Sequence, residues 1–298
     1  MLFAGLLVAV GAVAFRLVVI RQFPGFGPAS GGALVDPARP AARIGRLASL
    51  AVVLGTIGRL VAEMGVFRDP FEPFWAEIRL LVAGTSWGRA WLAQITAAAL
   101  SVIAFTLAAR PGRAAEPGWM LAAAGVVLLA YTPALSGHAV GAEHYVTAAI
   151  TADVLHVAAG GAWLGTLAVM AGVLHLGRRS GAEISRAHIV DWITAFSPLA
   201  LGSAAVIGAT GLFAAWLHLG AFSALWAEPY GRRLSLKLLF VLGVVGCGAY
   251  NWKRSRGRVL ASGDPARLPP TVVLELAVAV GLLLITAVLT TTTPPLHE

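Results

Sequence analysis

The residues of this sequence best suited to chemistry are its histidines, seven in all. His138 and His144 stand in a short polar segment, and His156 follows inside an apolar run with Asp153 one helical turn before it. Imidazole binds copper, zinc, iron and nickel, and a carboxylate one turn away can bind the same metal or orient the ring that binds it. The spacing favours a metal site in which His138, His144 and His156 are ligands and Asp153 orients His156.

A helix would place these groups on one face. At about 100° per residue, His156 and Trp163 both lie within about 80° of Asp153. A charged side chain that faces lipid in the middle of a span costs about 3 kcal/mol, so this face should point into the protein, with Trp163 as a wall of the site. A helix that began before His144 would turn that ring away from His156, so the prediction requires His144 to lie at or before the first turn.

Other side chains could add to the site, although each has a plainer explanation. His218 ends a later apolar run at the same side of the membrane, and Glu63 and Met64 end the second run there. A thioether suits Cu(I), but methionine is usually a packing residue. A histidine at a helix end often lies in the interface, and even His156 could be a satisfied packing residue. Cys247 is the single cysteine and lies inside an apolar run, so a site built on cysteines is implausible.

The elements that must position these residues are membrane-spanning helices. Hydrophobic residues make up 58% of the chain and charged residues 12%, with a mean hydropathy of +0.81, whereas soluble domains carry about 25% charged residues. This composition predicts an all-α membrane protein, a single domain over 1–298, with about eight spans. The apolar runs fall at 2–20, 43–66, 90–109, 118–136, 146–176, 195–219, 234–251 and 271–290.

Two segments need a separate interpretation. The first run, 2–20, has no basic segment before it and no small-residue cleavage pattern before Arg21, which favours a span over a secretory signal. The stretch Phe67–Arg89 mixes aromatic and charged side chains and is predicted to lie in the membrane interface.

Basic residues alternate between the connections. The connections after spans 1, 3, 5 and 7 are rich in arginine or lysine, whereas the connection after span 4 and the C-terminal segment have none. Arg232, Arg233 and Lys237, after span 6, run mildly against this pattern. The positive-inside rule predicts that both termini and the 4/5 connection face the outside. The net charge of +8 then reflects orientation in the inner membrane and not nucleic-acid binding.

The chain carries a possible internal repeat. The segment that enters span 3 at Trp87-Gly88-Arg89 resembles the one that enters span 7 at Tyr230-Gly231-Arg232, and spans 2 and 6 carry Thr56 and Thr210 at similar places. These similarities favour a parallel repeat of four helices plus four. The alternative is that all membrane entries look alike.

Several short motifs together indicate a known family. They are the His-x6-Trp-x-Gly pattern within Asp153–Gly165, Ser136-Gly137-His138-Ala139, Phe196-Ser197-Pro198, Thr210-Gly211 and Tyr230-Gly231-x5-Lys237. At these motifs the sequence resembles the copper resistance protein D family, most clearly over 130–252. The resemblance implies an eight-helix bacterial inner-membrane protein that handles copper. It also implies a periplasmic copper-binding partner of the CopC type, here a separate chain, from which copper passes toward the cytoplasm.

Three other functions are weighed against copper transport. A membrane b-type cytochrome needs two axial ligands on facing helices, and His156 has no second histidine at matching depth, since His218 lies too near the surface. A factor that delivers copper without transporting it stays open, because the inner half of the spans offers no obvious chain of ligands. A hydrolytic enzyme is disfavoured because the sequence lacks the H-E-x-x-H and G-x-S-x-G motifs, and no enzymatic activity is expected.

Overall fold

The protein is described by a computed structural model that covers residues 1–20, 36–69, 71–136, 145–180, 184–219, 229–261 and 270–289. Regular structure within these ranges is helical throughout, which confirms the predicted all-α membrane fold. The α-helices are α1 Leu2–Ala14, α2 Ala38–Phe67, α3 Phe74–Arg79, α4 Ser86–Ala108, α5 Ala115–Ala134, α6 Val146–Gly160, α7 Thr166–Arg179, α8 Arg186–Leu219, α9 Pro229–Ala261 and α10 Pro270–Leu289.

Three of these helices continue into a π-helical turn. Phe15–Ile20 extends α1, Leu80–Gly84 extends α3, and Gly161–Gly165 joins α6 to α7. A π turn widens the helix by one residue and is often found at functional sites. The turn at Gly161–Gly165 contains Trp163, so it determines where the side chain of this predicted wall residue points.

Seven of the described helices are long and apolar enough to cross a membrane. They are α1 with its π turn, α2, α4, α5, the continuous α6–α7 helix, α8 and α9. The described apolar part of α10, Val273–Thr286, is shorter, although α10 as a whole has 20 residues and therefore a length of about 30 Å.

The helices coincide with the predicted apolar runs but extend beyond some of them. α8 begins at Arg186 and not at 195, and α9 continues to Ala261 and not to 251. Hydropathy marks the part of a helix that crosses lipid, while the backbone hydrogen bonds continue into the interface, so the sequence alone underestimates these lengths.

The first four spans, α1, α2, α4 and α5, pack together and are called here the first unit. Its core contains Phe105, whose ring meets the ring of Trp119 edge to face at a centroid distance of 5.8 Å. Between the fifth span and α1 the backbones come very close, since a Cβ atom on Gly165 would overlap the carbonyl oxygen of Leu7. Glycine at such crossings allows tight packing of membrane helices.

The remaining spans, α6–α7, α8, α9 and α10, form the second unit. Its buried cluster contains Trp163, Leu164, Val244 and Ala279. In both units, each span packs against the span that precedes it in the chain. The repeat of four plus four helices requires this order and stays a prediction.

The segment between α2 and α4 contains the short helix α3. Phe71 and Trp75 are 94% and 77% exposed there, and the guanidinium of Arg68 lies 5.9 Å from the ring centre of Phe74. Exposed aromatic and basic side chains are typical of the membrane interface, and the interfacial position of this segment stays a prediction.

Candidate functional site

His156 lies on α6, is half-buried, and faces α8. Its Nδ1 atom is 2.9 Å from Oγ1 of Thr210. That hydroxyl lies 2.7 Å from the carbonyl oxygen of Val206 and donates its hydrogen there, so the Thr210 oxygen accepts from Nδ1–H of His156. Neutral imidazole carries only one N–H, which leaves the lone pair on Nε2 as the nitrogen that can bind a metal.

Asp153 and Lys237 lie near this histidine. Asp153, one turn earlier on α6, is exposed, and Lys237 of α9 is half-buried. Lys237 is within electrostatic range of both Asp153 and His156. His156 therefore points from the predicted face of α6 toward α8, whereas the side chain of Asp153 is exposed.

A second polar group lies deeper along the same helix. Nε1–H of Trp163 donates to Oε1 of Glu275 on α10 over 3.2 Å. Glu275 is 3% exposed and Trp163 is 6% exposed. Gly248 of α9 faces both, because a Cβ atom there would lie 3.2 Å from the Trp163 ring and 3.5 Å from the Glu275 carboxylate. The predicted wall residue thus contacts an acidic side chain inside a membrane span.

A third polar cluster lies in the first unit. Arg59 of α2 donates to Oε1 of Gln94 over 2.9 Å and to Oγ of Ser136 over 3.1 Å. Gln94 is 1% exposed and donates to Oγ1 of Thr132 over 3.2 Å. The guanidinium of Arg59 also lies 5.6 Å from the ring centre of Trp87. These contacts join α2, α4 and α5 at their predicted outer ends.

Several predicted site residues lie outside what the structure describes. His138 and His144 belong to segment 137–144, which is outside the described residues, and the side chain of His218 is outside them as well, although its backbone belongs to α8. Within the described part of the chain, no three His, Cys, Asp or Glu side chains come close enough to hold a metal ion. A complete copper site would need further donors, and segment 137–144 contains two histidines.

Glu63 and Met64 belong to the first unit. α2 packs against α1 and α4, Met64 is 7% exposed, and Glu63 is in electrostatic range of Arg59 on its own helix. Their described surroundings therefore connect them with the Arg59 cluster, and their predicted contribution to the metal site stays a prediction.

The cytochrome alternative requires a second histidine at the same depth in the membrane as His156. Among the histidines whose side chains are described, His175 and His188 lie at the predicted inner ends of α7 and α8, and Nδ1 of His188 is 2.9 Å from Oγ of Ser185. Neither matches the depth of His156, so these residues give the cytochrome alternative no support.

Lys237 and Glu275 were not among the site residues predicted from the sequence, although both interact with residues that were. The signal was present, because each is an ionisable residue within an apolar run, and such residues are costly in a membrane and usually functional. Metal-ligand chemistry favours the histidines, so Lys237 was considered only as a basic residue after span 6 and as part of a motif.

Comparison with known families places these observations in context. Residues 1–145 match the copper resistance protein D-like N-terminal domain, and residues 190–289 match copper resistance protein D. Neither range includes His156, so the match is independent of the helix on which the resemblance was first noted. No curated protein and no solved structure matches the chain significantly. Since the two matched ranges together cover most of its length, this multi-pass membrane protein belongs to the copper resistance protein D family.

Proposed function

We propose that this protein accepts copper at a histidine site on the periplasmic face of the inner membrane and carries it across. Membership of a copper resistance family supports copper as the cargo. The observation that carries the proposal is the hydrogen bond from Nδ1 of His156 to Thr210, because it turns the Nε2 lone pair into the available ligand on a fixed helix.

His138 and His144 are proposed as the further ligands. The residues that flank this connection have contacts of their own: Ser136 accepts from Arg59, and the ring centre of Tyr145 is 6.0 Å from that of Trp216. Tyr145 has a left-handed backbone with φ of 59°, and α6 begins at Val146. A helix that begins after His144 is what the prediction for this ligand requires.

Asp153 is proposed to orient the site and to balance the charge of the bound cation. It lies one turn from His156 and within electrostatic range of Lys237. Imidazole ligands favour copper over zinc in the divalent affinity order, and a thioether such as that of Met64 would further suit Cu(I).

The periplasmic direction is proposed from the alternation of basic connections. Reporter fusions after Glu298 should behave as external and fusions after Arg256 as internal. The reverse pattern would place the histidine connection in the cytoplasm and overturn the proposed entry side.

Metal analysis and uptake test the proposal together. Purified protein exposed to equal copper and zinc should retain stoichiometric copper, and vesicles that contain it should accumulate copper faster than empty vesicles. Stoichiometric zinc without copper would contradict the site. Copper bound without uptake would favour the alternative, in which the protein receives copper from a CopC-like partner and delivers it without transport.

A further inference from the structure

Arg59 is the charged residue at the centre of the polar cluster in the first unit. Its Nη1 atom donates to Oε1 of Gln94 over 2.9 Å, and its Nη2 atom donates to Oγ of Ser136 over 3.1 Å. The amide nitrogen of Gln94 donates in turn to Thr132, so the amide oxygen is the atom directed at the arginine. These bonds hold the guanidinium in one orientation, and both of its acceptors are neutral.

The positive charge of Arg59 is only partly balanced within the part of the chain that the structure describes. A guanidinium stays charged in proteins, and a charge in a membrane span is costly unless it is paired. None of the described acidic side chains forms an ion pair with Arg59. Glu63, one turn further along α2, interacts with it electrostatically at a longer distance. A further anion would therefore be bound favourably here.

The guanidinium also keeps hydrogen-bond donors for such an anion. Arginine has five N–H donors in a planar fork, and the bonds to Gln94 and Ser136 use two of them. Nε of Arg59 donates to no described acceptor, and it is not among the fully buried nitrogen atoms that lack a partner, so it is reachable from outside the bundle. The ring of Trp87, 5.6 Å away, covers one face of the guanidinium, and the edge that contains Nε remains for a ligand.

The surroundings of Arg59 are typical of the level at which lipid headgroups lie. α2 continues for about 12 Å beyond Arg59, to Phe67. Two tryptophans of α4 lie on this part of α2, since Trp91 donates to the carbonyl oxygen of Thr56 over 2.7 Å and Trp87 lies over Arg59. Tryptophan is enriched where the hydrocarbon meets the headgroups. The anion present at that level is the phosphate of a phospholipid, whose oxygen atoms match the fork of a guanidinium.

We propose that Arg59 binds the phosphate group of a membrane phospholipid at the predicted outer ends of α2, α4 and α5. The open N–H groups of the guanidinium donate to the phosphate oxygens, while Gln94 and Ser136 hold the guanidinium in place. This inference does not depend on the proposed copper transport, because none of its steps involves copper or the histidines.

Thermal unfolding of the full-length protein in a nonionic detergent tests the inference. Dioleoyl phosphatidylglycerol should raise the melting temperature of the wild type, whereas dioleoylglycerol, which has the same chains and no phosphate, should have little effect. Arg59→Gln removes the charge and the fork, so its apparent affinity for the phospholipid should fall at least tenfold. Arg89→Gln is the matched control, because it removes an exposed arginine of α4, and it should respond like the wild type.

A purely structural role of Arg59 predicts a different result. Arg59→Gln would then lower the melting temperature without lipid, while the increase caused by the phospholipid would stay the same. Equal increases in the wild type and in Arg59→Gln, or equal increases with the two lipids, overturn the inference. If Arg59→Gln does not fold, Arg59→Lys keeps the charge but loses the fork, and its affinity for the phospholipid should fall at least threefold. An unchanged affinity in that variant overturns the inference as well.

The source of the phosphate is tested on the wild type with inorganic phosphate. Inorganic phosphate at the same concentration should neither raise the melting temperature nor displace the phospholipid, because it has no acyl chains in the membrane. Stabilisation by inorganic phosphate that equals the effect of the phospholipid would show that the ligand is a free phosphate and would overturn the assignment to a lipid.

Discussion

The polar cluster around Arg59 in the first unit includes the buried side chains of Gln94 and Thr132, whereas the cluster around His156 in the second unit includes the exposed side chain of Asp153. Arg59 is bonded to Gln94 and Ser136, and Gln94 is bonded to Thr132. Around His156, by contrast, Asp153 is exposed and Lys237 is half-buried. The apolar windows of α4 and α5 are each 39% buried and those of α8 and α9 are each 6% buried, whereas the fifth span, which packs on α1, is 61% buried.

The predicted repeat makes the comparison sharper. When Trp87 is aligned with Tyr230, Gln94 falls on Lys237. In the first unit this position accepts from a built-in cation, the guanidinium of Arg59. In the second unit the equivalent position is Lys237, whose positive charge lies near Asp153 and His156. The equivalent position is therefore a buried neutral side chain in the first unit and a half-buried cation in the second.

The largest effect should come from substitution of the glycine at which the second unit crosses α1 of the first unit. Gly165→Ala places a Cβ atom against the carbonyl oxygen of Leu7 on α1, so it should destabilise the protein by at least about 3 kcal/mol. Gly208→Ala is the matched control, because nothing lies within 4 Å of its Cβ position, and it should be neutral or slightly stabilising. Thermal unfolding in detergent measures both. Equal stability of the two variants would show that the fifth span does not depend on its crossing with α1.

The next effect concerns copper affinity. His156→Ala removes the ligand nitrogen held by α6 and should weaken copper binding by at least about 100-fold, or about 2.7 kcal/mol. His175→Ala, which removes an exposed histidine at the end of α7, should bind like the wild type. Equilibrium titration with copper measures the affinity of both folded variants. Full affinity in His156→Ala would show that the site lies elsewhere, nearer Met64 and His218.

A smaller effect should follow from loss of the group that orients His156. Thr210→Val keeps the shape of the side chain but removes the oxygen that accepts from Nδ1, and it should weaken copper binding by about 10-fold to 100-fold, the usual range for such partners. Thr210→Ser keeps the hydroxyl and should restore most of the affinity. If the valine and serine variants behave alike, Thr210 does not fix the tautomer of His156.

The carboxylate of Asp153 is the other group proposed to orient the site. Asp153→Asn should weaken copper binding by about 10-fold to 100-fold as well, if that carboxylate orients His156.

The sequence predicted the fold well because long apolar runs leave few alternatives. A run of about 20 residues must form a helix to satisfy its backbone in lipid, so the helices appear where hydropathy placed them. The start of α8 and the end of α9 were less predictable, because hydropathy does not indicate where a helix continues outside the membrane. The interfacial position of Phe67–Arg89 stays a prediction, although the aromatic residues Phe71 and Trp75 are exposed there.

The site was less predictable because it depends on contacts between helices. The position of His156 on α6 followed from spacing, but its bond to Thr210 on α8 depends on how two distant segments pack. Lys237 and Glu275 come from spans 7 and 8, and periodicity on one helix does not reveal which surface of another it meets. The contributions of His138 and His144 stay predictions, since they lie outside the described residues.

The smallest effect tests the role of the cation in the second unit. Lys237 places a positive charge within electrostatic range of His156, so it opposes a copper ion bound there, and it also interacts with Asp153. Lys237→Gln removes this charge and gives the position the side chain that Gln94 has in the first unit. Copper affinity should rise by roughly threefold to tenfold, because solvent screens the half-buried lysine and reduces the repulsion to about 1 kcal/mol. The gain should disappear in the Asp153→Asn, Lys237→Gln double variant if the lysine acts mainly by competing for that carboxylate, and it should persist if direct repulsion dominates. A loss of affinity in the single variant would show instead that Lys237 helps to hold the site together, as Arg59 does in the first unit.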